Sequence, residues 1–356
     1  EFEQGRPLIE AYRARHPDHR VLLTFFSPSG YEVRRDWPGA DVVGYLPLDG
    51  PTTARRFLSL VRPRLAVFVK YEYWYVYLRE LRRRGVPTLL VSALFRPEQA
   101  FFRGYGGFFR QVLAQFTHLF VQDEASRTLL AAHGFENVSV SGDTRFDRVV
   151  AIADQSRNIA LVSRFKGNSP LLVVGSSWPE DWALVRAAVA AHPHLKILVA
   201  PHELRETDIG QMLAAPDLQP AVRYSAADKT DPAGARLLVV DRIGLLAALY
   251  AYADFAWVGG ALGPGLHNTL EAAAHGMPLF FGDRNYEKFR EAREMIAAGC
   301  AFAVGDAEQL AVHLSRLLGD PTERERLAEI SRSYVRRNVG ATGRIMAYLK
   351  AHGALA

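Results

Sequence analysis

Short apolar, β-rich runs alternate with helical stretches along the whole 356-residue chain. The runs are continuous in Val, Leu and Phe, not alternately apolar and polar. That is the pattern of strands buried on both faces of a parallel sheet. One series reads 21–26 (VLLTFF), 42–46, 65–69, 88–92, 118–121 and 138–141; a second reads 171–175 (LLVVG), 195–200, 237–240, 255–258, 278–281 and 301–304. The order predicts an α/β protein of two doubly wound domains, over 1–152 and 171–356, with a polar linker at 153–170. The length suits two such domains. The charged stretch 322–350 reads as helix and is assigned to the second domain. The first half shows helical pattern at 5–16 before any strand, so a further strand is expected upstream of Glu1.

Composition narrows the function classes. One cysteine, Cys300, rules out an internal disulfide and a cysteine-built metal site, and fits a reducing compartment. No run reaches the roughly 18 apolar residues of a membrane span, and no secretory signal is visible. The net charge of +5 falls in the first half: residues 51–110 carry twelve Lys/Arg against three Asp/Glu. A basic face there suits an anionic membrane, an acidic substrate or nucleic acid.

Open parallel sheets bind ligands outside the carboxyl ends of their strands, so the loops after each run hold the candidate residues. The strongest is Gly259–Asn268 (GGALGPGLHN), which leads into a helix at Thr269. Glycine lets a backbone approach a ligand closely, and a helix start favours an anion. Asn268 and Glu271 have capping-box spacing, and Glu271 can accept two ribose hydroxyls. The run fits phosphate or nucleotide binding, and equally a flexible turn with a satisfied cap. It is neither the dinucleotide fingerprint nor the P-loop.

Glu72 follows a strand and sits among Tyr71, Tyr73 and Trp74. An aromatic setting raises a carboxyl pKa and suits proton transfer, while Lys70 or Arg79 offers an ordinary ion pair. The histidines, His202 and His267 included, lack metal-site spacing, and there is no D-x-D pair, so no metal is assigned. Residues 95–116 interleave Phe and Tyr with Arg, and the preceding helix ends in Arg82-Arg83-Arg84. Core packing and a membrane interface both fit; RNA binding fits less well, because no nucleic-acid motif is present. Arg82, Arg83, Arg84 and Arg103 are the residues expected to dock on anionic lipid.

Five segments in order resemble motifs of one family. Glu1-Phe2 matches the end of its Gly-Glu-Phe, Thr24–Gly30 (TFFSPSG) its T-x-x-S/T-P-x-G, and Glu72–Trp74 its E-L/F-W. Ser141–Asp147 (SGDTRFD) is similar to its G-N-x-K-F-D, and Gly259–Glu271 to its G-G…G-G-H-N-x-L-E. The family is that of the bacterial Kdo (3-deoxy-D-manno-oct-2-ulosonic acid) transferases of lipopolysaccharide synthesis. The resemblance implies a glycosyltransferase B fold of two facing Rossmann-like domains. It implies CMP-Kdo as donor on the C-terminal domain and a lipid A precursor, lipid IVA, as acceptor on the N-terminal one. It implies Glu1 as general base and Glu72 as a second functional carboxylate. CMP contacts fall on Pro201, His202, Ile243, Gly244, Leu245, Asn268, Thr269, Leu270 and Glu271. No cofactor, metal or nucleic acid is implied, and the expected location is the cytoplasmic face of the inner membrane. The family's membrane segment and first strand have no counterpart in this sequence, which reads as a truncation. The family's Pro-Arg-His is replaced by Pro201-His202-Glu203, and Gly-Gly-His-Asn by Gly265-Leu266-His267-Asn268.

Inverting transfer is consistent with this chemistry, since one base and no covalent intermediate give inversion. A single donor phosphate can be stabilised by backbone amides. Two other readings are a glycosyltransferase B enzyme using a UDP-sugar, and a non-enzymatic basic module that tethers something to a membrane.

Overall fold

The computed structural model describes residues 1–155, 158–229 and 231–353. The chain forms two compact units, Glu1–Arg148 with Asn338–Ala356, and Val149–Arg337.

The second unit is built on a seven-stranded sheet. Its strands are β7 (Leu171–Ser177), β8 (Lys196–Pro201), β9 (Ala221–Arg223), β10 (Leu237–Val239), β11 (Phe255–Val258), β12 (Leu279–Gly282) and β13 (Ala301–Val304). Every pairing is parallel, in the order β13-β12-β11-β7-β8-β10-β9. The Val/Leu/Phe runs fill both faces: Val174, Val199, Trp257 and Phe280 pack with Trp182, Leu310 and Leu314 from the helices. Burial of a side chain of this size contributes about 1.5–3 kcal/mol. The short strand β9 was not legible in the sequence, because Ala-Val-Arg carries no apolar run.

The first unit departs from a single sheet. Strands β1 (Leu22–Phe25) and β2 (Val42–Tyr45) pair with each other, while β3 (Ala66–Val69), β4 (Thr88–Ala93), β5 (His118–Val121) and β6 (Val138–Val140) form a separate sheet in that order. Here β4 and β5 are fully buried, and β1 and β3 only partly.

The expected boundaries need correction. The stretch 322–350 is not one helix: Pro321–Arg337 stops, Asn338–Gly340 turns with Gly340 at φ +107°, and Ala341–Ala351 begins anew. The second of these helices belongs to the first unit, not to the second domain. Its Ile345, Met346 and Leu349 bury against Leu8, Leu89, Val91 and Phe120. Asp147 accepts from the backbone N–H of Gly340 and Thr342, and Arg344 donates to the Ser141 carbonyl. The Ser141–Asp147 motif therefore anchors the C-terminal helix. The stretch 153–170 is not a plain linker either: Ala160–Lys166 is helical and buries Val162 and Phe165 in the second unit. Residues 156 and 157 of that stretch, and 354–356 at the end, lie outside the described residues.

Candidate functional site

Because all strands of the second unit run parallel, their carboxyl ends share one edge. Chain order runs outward from β7 through β8 and β10 on one side and through β11, β12 and β13 on the other. The switch between β7 and β11 is where such sheets open a crevice for a ligand. Strand β7 ends irregularly: its register with β8 shifts between Gly175 and Ser177, with Ser176 at φ +51°. A non-glycine residue in that region costs about 1–3 kcal/mol and persists only where its surroundings hold it.

The turn beyond β7 is built around Asp181, in the first turn of the helix Pro179–Val189. Its carboxylate is fully buried. Oδ2 accepts from the backbone N–H of Trp178 at 3.0 Å and of Gly260 at 2.9 Å, and Oδ1 accepts from Trp257 Nε1 at 3.2 Å. Burial pushes its pKa up, and these bonds work against that shift. The glycines of the loop are required by space. A Cβ on Gly259 would lie 2.3 Å from the Ser176 carbonyl oxygen, and one on Gly260, at φ +96°, 2.3 Å from that of Gly265.

Three rings gather on this edge, one from each of three strand ends. Trp178 Nε1 donates to His267 Nε2 at 3.0 Å, their rings within 10° of a common orientation. His202, just past β8, stacks on both, 4.6 Å from Trp178 and 4.4 Å from His267 between centroids. Burial, then His202, holds the His267 pKa below its usual value. Beyond His267, Asn268 Oδ1 accepts from the Leu270 N–H at 3.2 Å and Nδ2 donates to Glu271 Oε1 at 3.1 Å. This differs from a capping box: Glu271 bonds the Asn268 side chain. The next helix, Leu270–His275, is short, and Thr269 is buried with Oγ1 unpartnered among the described residues. Pro201 closes β8, while Ile243 is 90% exposed beside Gly244 (φ +86°) and Leu245 after β10. All nine expected donor-site residues therefore sit at the carboxyl edge of one sheet.

In the first unit, Lys70 just past β3 has φ +65° and Ser92, one residue before the end of β4, has φ +53°. Glu72 comes two residues after Lys70, half-buried, its Oε2 accepting from Trp74 Nε1. Burial raises the Glu72 pKa; the Trp74 bond opposes this, and the charge and hydrogen bond of Glu1 add to it. The structure thus brings Glu1 and Glu72 together at one strand edge, with Glu1 at the start of the helix Phe2–Arg15.

The four arginines differ in their partners. All are exposed, but Arg82 donates to the Ala114 carbonyl at the end of the helix Gly107–Leu113, whereas Arg103 precedes that helix and donates to the Glu98 carbonyl. Arg83 pairs with Glu80, and Arg84 bonds the Arg55 carbonyl and Ser59. Arg103 instead adjoins exposed Tyr105, Phe108 and Phe109.

Residues 1–148 match the family model described as 3-Deoxy-D-manno-octulosonic-acid transferase (kdotransferase). The chain is 29% identical over 362 residues to the 3-deoxy-D-manno-octulosonic acid transferase of Bordetella pertussis, covering 97% of this chain and 83% of that protein. It is 25% identical over 346 residues to that of Aquifex aeolicus, covering 94% and 89%. The chain carries the N-terminal domain of the Kdo transferases and is similar to these enzymes over most of its length. In fold it is similar to the UDP-GlcNAc 2-epimerase of Neisseria meningitidis bound to UDP-GlcNAc, with a TM-score of 0.69 at 13% identity over 99% of this chain and 97% of that one. A putative UDP-N-acetylglucosamine 2-epimerase from Listeria monocytogenes gives 0.65 at 14%, over 99% and 94%. At these identities the likeness speaks for the fold alone, the glycosyltransferase B type with two Rossmann-like domains.

Two residues of this edge were missed in the sequence. Trp178 and Asp181 lie in the turn after β7. A signal was available: Asp181 stands in the first turn of a helix opened by Pro179, where a carboxylate satisfies free N–H groups. Nothing in the sequence linked it to Gly260, 79 positions away. Among the described residues no group of three His, Cys, Asp or Glu side chains could hold a metal ion, and no helix is long and apolar enough to cross a membrane.

Proposed function

We propose that this enzyme is a glycosyltransferase that moves Kdo from CMP-Kdo to a lipid A precursor, with inversion. The observation that carries the donor reading is the glycine loop Gly259–Asn268, pinned by Asp181 at the switch point between β7 and β11. Pro201, His202, Ile243, Gly244, Leu245 and Asn268–Glu271 share that edge, so the second unit is assigned the nucleotide. Backbone N–H groups and neutral side chains there suit a leaving group with a single phosphate.

The acceptor, a lipid A precursor such as lipid IVA, is assigned to the first unit. Glu1 takes the proton from the acceptor hydroxyl as its oxygen forms a bond to the anomeric carbon. The bond from that carbon to the phosphate oxygen breaks, and the electron pair leaves with CMP. Glu72, held toward its protonated form by burial, hydrogen-bonds the sugar hydroxyl. Arg103 with Tyr105, Phe108 and Phe109 supports docking on the anionic inner-membrane surface, where aromatic side chains and cations meet lipid headgroups.

The test of the donor assignment is thermal stability with nucleotides. CMP raises Tm by binding the native state, and UMP leaves it unchanged. Equal stabilisation by UMP, or none by CMP, overturns the assignment.

A further inference from the structure

The indole of Trp178 is a donor only. The nitrogen of His267 that faces it at 3.0 Å, Nε2, must therefore present its lone pair. A neutral imidazole that accepts at Nε2 carries its proton on Nδ1. Protonating the ring at both nitrogens would set N–H against N–H and break the bond. The ring is further held by His202, whose centroid lies 4.4 Å away at 30°, and by the backbone N–H of His267, which donates to the Gly259 carbonyl at 3.1 Å. Among the described residues, Nδ1 has no hydrogen-bond partner, and the side chain is only half-buried. It stands immediately before Asn268, at the carboxyl edge of the sheet.

We propose that Trp178 is a positioning residue that fixes His267 as the Nδ1–H tautomer, so that the loop offers a neutral N–H donor to an oxyanion of the bound donor substrate. The inference rests on the nucleotide-sugar reading of this edge. The oxyanion is the phosphate or the carboxylate of the sugar. Trp178 acts only through His267: it lends no charge and touches no reacting atom. His202 lies across both rings and keeps water from competing for Nε2. A residue with a free lone pair on Nδ1 would instead repel the oxyanion, so the tautomer decides the sign of the contact.

Nitrogen-15 NMR of His267 in ligand-free protein reads the tautomer directly. The wild type is expected to show Nδ1 protonated and Nε2 bare at neutral pH, and Trp178→Phe a mixture. Calorimetry with CMP and cytidine, and the KM for CMP-Kdo, read the contact. Trp178→Phe and His267→Ala are expected to weaken the oxyanion contact roughly tenfold to a hundredfold, the size of one hydrogen bond to a charged group. Cytidine affinity is expected to be unchanged. Weakened CMP binding assigns the phosphate; a raised KM for CMP-Kdo with CMP unaffected assigns the carboxylate. His267→Asn, whose amide nitrogen stands near the place of Nδ1, restores most of the loss. A wild-type His267 protonated at Nε2 overturns the proposal, as does unchanged binding of both CMP and CMP-Kdo in Trp178→Phe and His267→Ala. A wild type that binds neither CMP nor CMP-Kdo refutes the nucleotide reading and the oxyanion assignment with it. The spectrum alone still decides the Trp178–His267 arrangement.

Discussion

The carboxylate of Asp181 holds the backbone N–H of Gly260 at 2.9 Å, tying the turn after β7 to the glycine loop after β11. The two segments flank the switch point of the sheet, so one buried side chain sets the shape of the donor edge. Asp181→Ala leaves the N–H groups of Trp178, Gly260 and Trp257 without their acceptor. A loss of about 2–4 kcal/mol in urea denaturation is expected, together with a smaller CMP-induced rise in Tm. A loss below about 0.5 kcal/mol would show that the loop is shaped by something else.

Gly260 tests the same loop from the other side. At φ +96°, and with a Cβ 2.3 Å from the Gly265 carbonyl oxygen, Gly260→Ala has both backbone and contact strain. It is expected to cost at least about 2 kcal/mol and to abolish CMP stabilisation. Gly263→Ala, where a Cβ meets nothing within 4 Å, serves as the control and is expected to fold and bind normally. Similar behaviour of the two variants contradicts the strain.

Asn268 and Glu271 carry the side-chain part of the donor reading. Asn268→Ala removes both the bond to the Leu270 N–H and the bond to Glu271. Thermal shift with CMP is expected to fall in Asn268→Ala and in Glu271→Ala, with roughly tenfold weaker affinity in each, the loss of about 1.4 kcal/mol. An unchanged CMP shift in both removes this segment from the site.

Glu72 gives a pH signature. Its pKa is raised in the folded protein, chiefly by burial. The folded state then binds the proton more tightly than the unfolded chain. The associated stability is fully present below the ordinary carboxyl value of 4.5, and is lost as pH rises through the raised folded value. Glu72→Gln, which cannot ionise, is expected to raise Tm at pH 7 relative to wild type and to change it little at pH 4. A Tm gain that is the same at both pH values would show that the carboxylate is not destabilised by its surroundings.

Much of this was legible in the sequence because parallel strands announce themselves. The unbroken runs at 171–175 and 255–258 could only be doubly buried, and they place β7 and β11, hence the site edge. The irregular ends of β4 and β7 were not legible, since Ser92 and Ser176 at positive φ are set by tertiary context. The domain of the last helix was misassigned for a similar reason. Pro321–Arg337 and Ala341–Ala351 are both amphipathic, and it is the long-range bonds of Asp147 and Arg344 and the packing of Ile345, Met346 and Leu349 on Leu8, Leu89 and Phe120 that direct the second to the first unit.

The different partners of Arg82 and Arg103 make the membrane reading selective. Arg103→Glu, beside exposed Tyr105, Phe108 and Phe109, is expected to lower binding to anionic vesicles roughly fivefold or more, at about 1 kcal/mol per basic residue near an anionic surface. Arg82→Glu loses its bond to the Ala114 carbonyl and is expected to lower Tm with less effect on binding. Sedimentation with anionic and neutral vesicles at two salt concentrations measures both. Binding insensitive to salt and to Arg103→Glu contradicts a docking role for this face.

The most direct measurement is transfer itself: the protein, CMP-Kdo and tetra-acylated lipid A precursor, with products weighed by mass spectrometry. Wild type is expected to release CMP and to add Kdo to the acceptor. Glu1→Gln is expected to lower turnover roughly 10²–10⁴-fold while CMP still raises Tm. A protein that binds CMP but gives no Kdo-bearing product, or that gives glycosylated product only from a UDP-sugar, contradicts the assignment as a Kdo transferase. Near-normal turnover in Glu1→Gln leaves the transfer standing and takes the base away from Glu1.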